Sequence, residues 1–115
     1  YMTTSALAHT LIKHCKDLQF SEARKKLFSR KIISTEADGS VLKGLRALNA
    51  KQKQWHGSIE KIHGVKLSKP LINGDFFSIA FTWDVTYKGQ PRGGWKEIGI
   101  YRVKKSKIIS EHYFY

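Results

Sequence analysis

The sequence has little of what assigns a protein quickly. It has one cysteine, Cys15, so no disulfide can form within the chain and a four-cysteine zinc site is excluded; both facts fit a reducing cytoplasm. No window approaches the ~18 consecutive apolar residues that a membrane helix needs. No stretch combines a basic start, an apolar run and a small-residue cleavage site, so the reading is cytoplasmic, with no membrane partner. His9 and His14 stand five apart, and His56 and His63 seven apart. Neither spacing brings two ligands together on a helix, and no Asp/Glu cluster joins them, so no metal and no cofactor is expected. Linkers, repeats and low-complexity segments are missing too.

What remains is an ordinary globular composition. The chain has 115 residues, 41% hydrophobic and 12% aromatic, enough for one domain over residues 2–115 with a real core. Tyr1 stands before Met2 and is set aside as a remnant outside that domain. Basic residues outnumber acidic ones 21 to 9, for a formal charge of +12, which favours anionic partners. The positive residues are spread widely, however, and only Arg24, Lys25, Lys26, Arg30 and Lys31 form a dense cluster. With no nucleic-acid motif present, a solvated basic surface is the default and nucleic acid is not an expected partner.

Periodicity divides the chain in two. Thr3, Thr4 and Ser5 offer cap residues ahead of Leu7, Leu11, Cys15 and Leu18 at helical spacing. Ser21 is placed to cap a short second helix with Ala23, Leu27 and Phe28 as its contacts. Asp38-Gly39 marks a turn between short strands at Ile32–Thr35 and Val41–Lys43. Gly44 opens a third helix bearing Leu45, Leu48 and Trp55, and Gly57 stops it. Beyond it the period becomes two, with strands expected over 58–68, 76–87, 95–104 and 107–115, and Lys88–Gly94 as a loop. Helices followed by a run of antiparallel strands indicate α+β.

Register then proposes a site. With Trp83 set opposite Glu97, Phe81 meets Gly99, Ile79 meets Tyr101 and Phe77 meets Val103. One face carries Phe77, Ile79, Phe81, Trp83 and Val85; on the other, Asp84 meets Lys96. A last hairpin turning at Lys105-Ser106 sets His112 against Gly99 and Phe114 against Glu97. Glu97 and His112 are then the ionisable pair on an apolar face. A carboxylate there is costly unless paired or protonated, which makes the two candidate catalytic groups. The bland alternative is that Glu97 reaches water at the sheet end. Cys15, on the first helix's apolar stripe, reads as a buried, inert thiol.

Three helices, long strands, Glu97-Ile98-Gly99-Ile100-Tyr101-Arg102-Val103, Phe81-Thr82-Trp83-Asp84-Val85-Thr86 and a terminal Lys107-Ile108-Ile109-Ser110-Glu111-His112-Tyr113-Phe114-Tyr115 together resemble SnoaL-like proteins. These belong to the nuclear-transport-factor-2-like superfamily, with ketosteroid isomerases and polyketide cyclases. The resemblance implies a cone-shaped curved antiparallel sheet with three N-terminal helices packed on its concave face, over an apolar cavity. It implies a cavity carboxylate acting as proton shuttle, and Glu97 is the best match. Trp55, Phe81, Trp83, Trp95, Tyr101 and Phe114 are the expected ligand-binding residues. The first helix contains no tyrosine, unlike that of ketosteroid isomerases, which speaks against steroid isomerisation itself.

Three functions follow as expectations. One is proton-transfer chemistry of isomerase or cyclase type on a hydrophobic, cyclic small molecule. The second is ligand binding without catalysis in the same cavity. The third is an interaction module, with a homodimer covering the apolar outer sheet face around Ile98, Ile100, Ile109 and Tyr113.

Overall fold

In a computed structural model, which describes residues 2–115, three helices precede and interleave with the strands of one curved sheet. The assignment of Tyr1 lies outside those residues. Helix α1 (Thr4–Lys16) begins where the Thr3 side-chain oxygen accepts the Ala6 N–H at 3.0 Å, which satisfies one of the free donors of a first turn. It buries Leu7, Ala8, Leu11, Ile12 and Cys15 against β3 and β5. Leu18 lies past its end, exposed, with a φ of 57°. Helix α2 (Phe20–Leu27) starts two residues earlier than a Ser21 cap would allow; Gln19 precedes it and makes no side-chain cap bond. Gly44, with φ of 95°, leads into α3 (Leu45–Gly57) and donates its N–H to the Ile32 carbonyl. An L-residue would be strained in that conformation.

The strands are β1 (Phe28–Thr35), β2 (Val41–Lys43), β3 (Ile59–Leu67), β4 (Leu71–Asn73), β5 (Phe76–Tyr87), β6 (Gly93–Lys104) and β7 (Lys107–Phe114). Their order is β2-β1-β7-β6-β5-β3, with β4 also on β5. The sheet is mixed, because β1 runs parallel to β7 while the other pairs are antiparallel. A parallel pair needs a long crossover, and everything from β2 to β6 lies between these two strands. Register breaks in β1–β7, β3–β5 and β6–β7 add the local bends that let a sheet curl.

Alternation along β5 is as the sequence predicts: Phe77, Ile79, Phe81, Trp83 and Val85 are buried. Each such burial stabilises by roughly 1.5–3 kcal/mol. The register with β6 differs by two residues. Trp83 faces Trp95, Phe81 faces Glu97, Ile79 faces Gly99 and Phe77 faces Tyr101. The cause is that Gly93 and Gly94, expected in the loop, pair with Val85 and Asp84. Gly94 permits this because a Cβ there would overlap the Trp83 carbonyl oxygen. Asp84 consequently binds Arg92, through Nε at 3.0 Å and a terminal nitrogen at 2.7 Å, and not Lys96.

The last hairpin turns at Lys105-Ser106, both with positive φ (51° and 62°), as a two-residue turn of this hand requires. Lys104 then pairs with Lys107 and Val103 with Ile108, but a register shift follows, and Arg102 meets Ser110, Tyr101 meets Glu111 and Ile100 meets His112.

Candidate functional site

Between the inner sheet face and the helices lies a cavity of about 800 Å³. Its aromatic wall is built by strand pairing. Trp83 and Trp95 are direct partners across β5 and β6 and stack at 5.6 Å between centroids. Trp55, from the last turns of α3, stands edge-on to both, at 5.5 and 6.1 Å. Its Nε1 donates to the Tyr87 hydroxyl at 3.1 Å. Phe81 stacks on Trp83 at 6.1 Å, and Phe20 leans on it from α2 at 5.5 Å.

Glu97 completes this wall. Trp83 Nε1 donates to its Oε1 at 2.9 Å, and Trp95 Nε1 approaches Oε2 at 3.5 Å. Partial burial raises its pKa above the ordinary carboxylate value, and the two indole donors offset only part of that rise. Each carboxylate oxygen accepts one N–H and keeps a further lone pair.

A second carboxyl group, Glu111, lies elsewhere in the lining and is 2% exposed. Ser34 Oγ donates to its Oε2 at 2.7 Å, and the Tyr113 hydroxyl donates to its Oε1 at 2.9 Å. The Tyr101 hydroxyl lies 3.3 Å from that of Tyr113, so Tyr101, Tyr113, Glu111 and Ser34 form one connected chain. Tyr101 packs over Gly99, where a Cβ would come within 2.8 Å of its hydroxyl. Burial pushes the Glu111 carboxyl up to about 7, against the lowering by its two hydroxyl donors. It holds both tyrosines well above their usual value, so they stay protonated. At the rim, Lys51 pairs with Glu36 at 2.6 Å, and the Tyr115 hydroxyl donates to the other Glu36 oxygen at 3.1 Å.

The SnoaL-like domain model matches residues 2–115. The chain belongs to the SnoaL-like domain family. A protein from Mesorhizobium loti described as a SnoaL-like polyketide cyclase is 32% identical, with a TM-score of 0.92 over 99% of this chain and 100% of its own. A protein with a ketosteroid-isomerase-like fold from Catenulispora acidiphila, in complex with trimethylamine, superposes with a TM-score of 0.70 at 18% identity, over 96% of this chain and 82% of its own. TerC, co-crystallised with polyporic acid, gives 0.79 at 8% identity, over 98% and 92%. At those lower identities the likeness is one of fold. Among curated proteins, none matches.

In this SnoaL-like domain, Glu97, Trp55, Phe81, Trp83, Trp95 and Tyr101 all line the cavity. His112 and Phe114 do not. The register shift after Arg102 and Val103 turns them to the outer face, where they stack at 4.3 Å, and Phe114 is 45% exposed. Glu111 and Tyr113 take the inner positions, so the pairing of Glu97 with His112 is corrected, as is the placing of Tyr113 outside. The signal for the shift was the adjacent Ile108 and Ile109, which interrupts strict alternation. Ser34 and Arg24 were visible only as a strand serine and part of a basic cluster. Cys15 is buried against the cavity, and burial pushes its thiol up to about 12. Among the described residues no group of three metal-type side chains converges, and no helix is long and apolar enough to cross a membrane.

Proposed function

We propose that this protein binds a flat, hydrophobic, ring-bearing small molecule against the three tryptophans and that Glu97 accepts a proton from it. The observation carrying this reading is the Glu97 carboxylate, made more basic by burial, held by indole N–H donors in an aromatic wall. A base works best when its pKa is drawn toward the operating pH and its position is fixed. The phenols of Tyr101 and Tyr113, kept protonated by burial, line the same cavity. An aromatic wall suits a planar ring by stacking. TerC, of the same fold, was crystallised with polyporic acid, which is consistent with a ring-bearing ligand here.

The test uses 2-tetralone, a flat ring ketone with exchangeable α-protons. Binding is followed by quenching of tryptophan fluorescence, and exchange into D2O by NMR. The expected result is saturable binding with accelerated exchange that Glu97→Gln abolishes while binding persists. Binding without accelerated exchange leaves a ligand carrier and removes the proton-transfer half. Failure of this and other flat ring compounds to bind removes the whole reading.

The outer face favours a second, compatible statement. Ile98 and Phe114 are direct cross-strand partners, and both are exposed, as are Ile33 and Ile100. We propose that a second copy of the chain covers this patch. Light scattering should give a dimer mass for the wild type and a monomer mass for Ile98→Glu; a wild-type monomer at high micromolar concentration contradicts it.

A further inference from the structure

The cavity wall contains a cation that forms no ion pair among the described residues. Arg24 reaches it from α2 and is partly buried. Its Nε donates to Asn49 Oδ1 on α3 at 2.9 Å, which fixes the plane of the guanidinium. That is its only hydrogen bond to the described residues, and it belongs to none of the ion pairs among them. The two terminal nitrogens are therefore free, and their spacing matches the two oxygens of a carboxylate.

The neighbours do not supply the missing charge. Cys15, His56, Tyr113 and Glu111 lie close enough to feel the guanidinium. Three of them are neutral at neutral pH or cationic when protonated. Glu111 is not within ion-pair distance, is already held by Ser34 and Tyr113, and keeps its proton up to about 7. Of the other acids in the lining, Glu36 is committed to Lys51, and Asp38 accepts from the Ser40 backbone N–H and hydroxyl and makes no ion pair with Arg24. Lys96 also lines the cavity but is exposed to water, which answers its charge. Burial lowers the Arg24 pKa from its ordinary value, which reflects a cation stripped of part of its solvent.

We infer that Arg24 is a head-group site and that the cavity selects organic acids. The apolar body lies on the indoles, and a carboxylate, or an anion of the same shape, takes two hydrogen bonds from the terminal nitrogens of Arg24. The inference rests on the cavity holding a ring-bearing molecule and adds the chemical class of that molecule. Its location separates Arg24 from Lys25, Lys26 and Arg30, which are exposed. The net charge of +12 draws such anions toward the protein, and Arg24 provides the directional contact.

Calorimetric titration of 2-naphthoate and 2-naphthamide at pH 6 separates charge from shape. The wild type should bind the acid about tenfold or more tightly than the amide, as a two-point charged contact provides. Arg24→Gln should bring the acid down to the affinity of the amide and leave the amide unchanged. Should Arg24→Gln fail to fold, Arg24→Lys, which keeps the charge and loses the fork, should reduce the preference with amide binding intact. Equal wild-type affinities, or a preference that survives both substitutions, overturns the inference and leaves the cavity reading standing. If neither compound binds the wild type, both fall together.

Discussion

Two of the carboxyl groups that line the cavity, Glu97 and Glu111, lie in differently built regions. Glu97 lies among indoles, where N–H donors and partial access to water limit the effect of burial. Glu111 lies among hydroxyls, 2% exposed, with no cation among the described residues in ion-pair range, and burial raises its pKa to about 7. Burial of an uncompensated carboxylate costs several kcal/mol, more than two hydroxyl donors return. The same cavity therefore raises the proton affinity of both groups, and that of Glu111 by more. Environment alone divides acid from base when two like groups sit in one cavity.

The largest effect separating the two regions should appear in proton transfer. Glu97→Gln removes the base and should cost about 10²–10⁴-fold in 2-tetralone exchange. Glu111→Gln keeps an acceptor for one of the two hydroxyl donors and should leave exchange within a few-fold of wild type. NMR exchange rates of both variants at one pH make the comparison. A larger loss in Glu111→Gln would move the base to the hydroxyl region.

Next in size is a stability effect that belongs to Glu111. Its folded pKa, about 7, lies above its ordinary value of 4.5, so the folded state binds the proton more tightly than the unfolded state does. The group's contribution to stability is fully present below about 4.5 and is lost as pH rises to about 7. The shift corresponds to about 3 kcal/mol of difference across that window. Urea unfolding at pH 5 and pH 8 should show wild type losing more stability than Glu111→Gln by an amount of that order. Identical pH dependence in the two proteins would mean that water or a cation reaches Glu111.

The sequence made one of these regions legible and concealed the other. A register error of two residues between β5 and β6 left every side chain on its correct face, because the pleat repeats every two. Glu97, Tyr101 and the tryptophans were therefore placed inside despite the wrong partners, with Gly93 and Gly94 hiding the true pairing. A shift of one residue in β7 did the reverse, exchanging His112 for Glu111 and Phe114 for Tyr113. The parallel partnership of β1 with β7, which brings Ser34 to Glu111, joins residues 77 apart and leaves no trace in local periodicity. The helices and the apolar stripe of β5 were readable because each is fixed by neighbours a few residues away.

The smallest expected effect tests the indole region on its own terms. Hydrogen bonds to the charged form of a carboxyl group lower its pKa, and their strength falls steeply with distance. Trp83 donates to Glu97 at 2.9 Å and Trp95 at 3.5 Å. Trp83→Phe and Trp95→Phe each keep an aromatic ring and delete one N–H. Both should raise the Glu97 midpoint in a carboxyl carbon-13 titration, Trp83→Phe by more, and neither should move Glu111. Equal shifts from the two would show that ring packing, through exclusion of water, governs Glu97. No shift from either would place its carboxylate in solvent, and the contrast between the two regions would then be one of exposure alone.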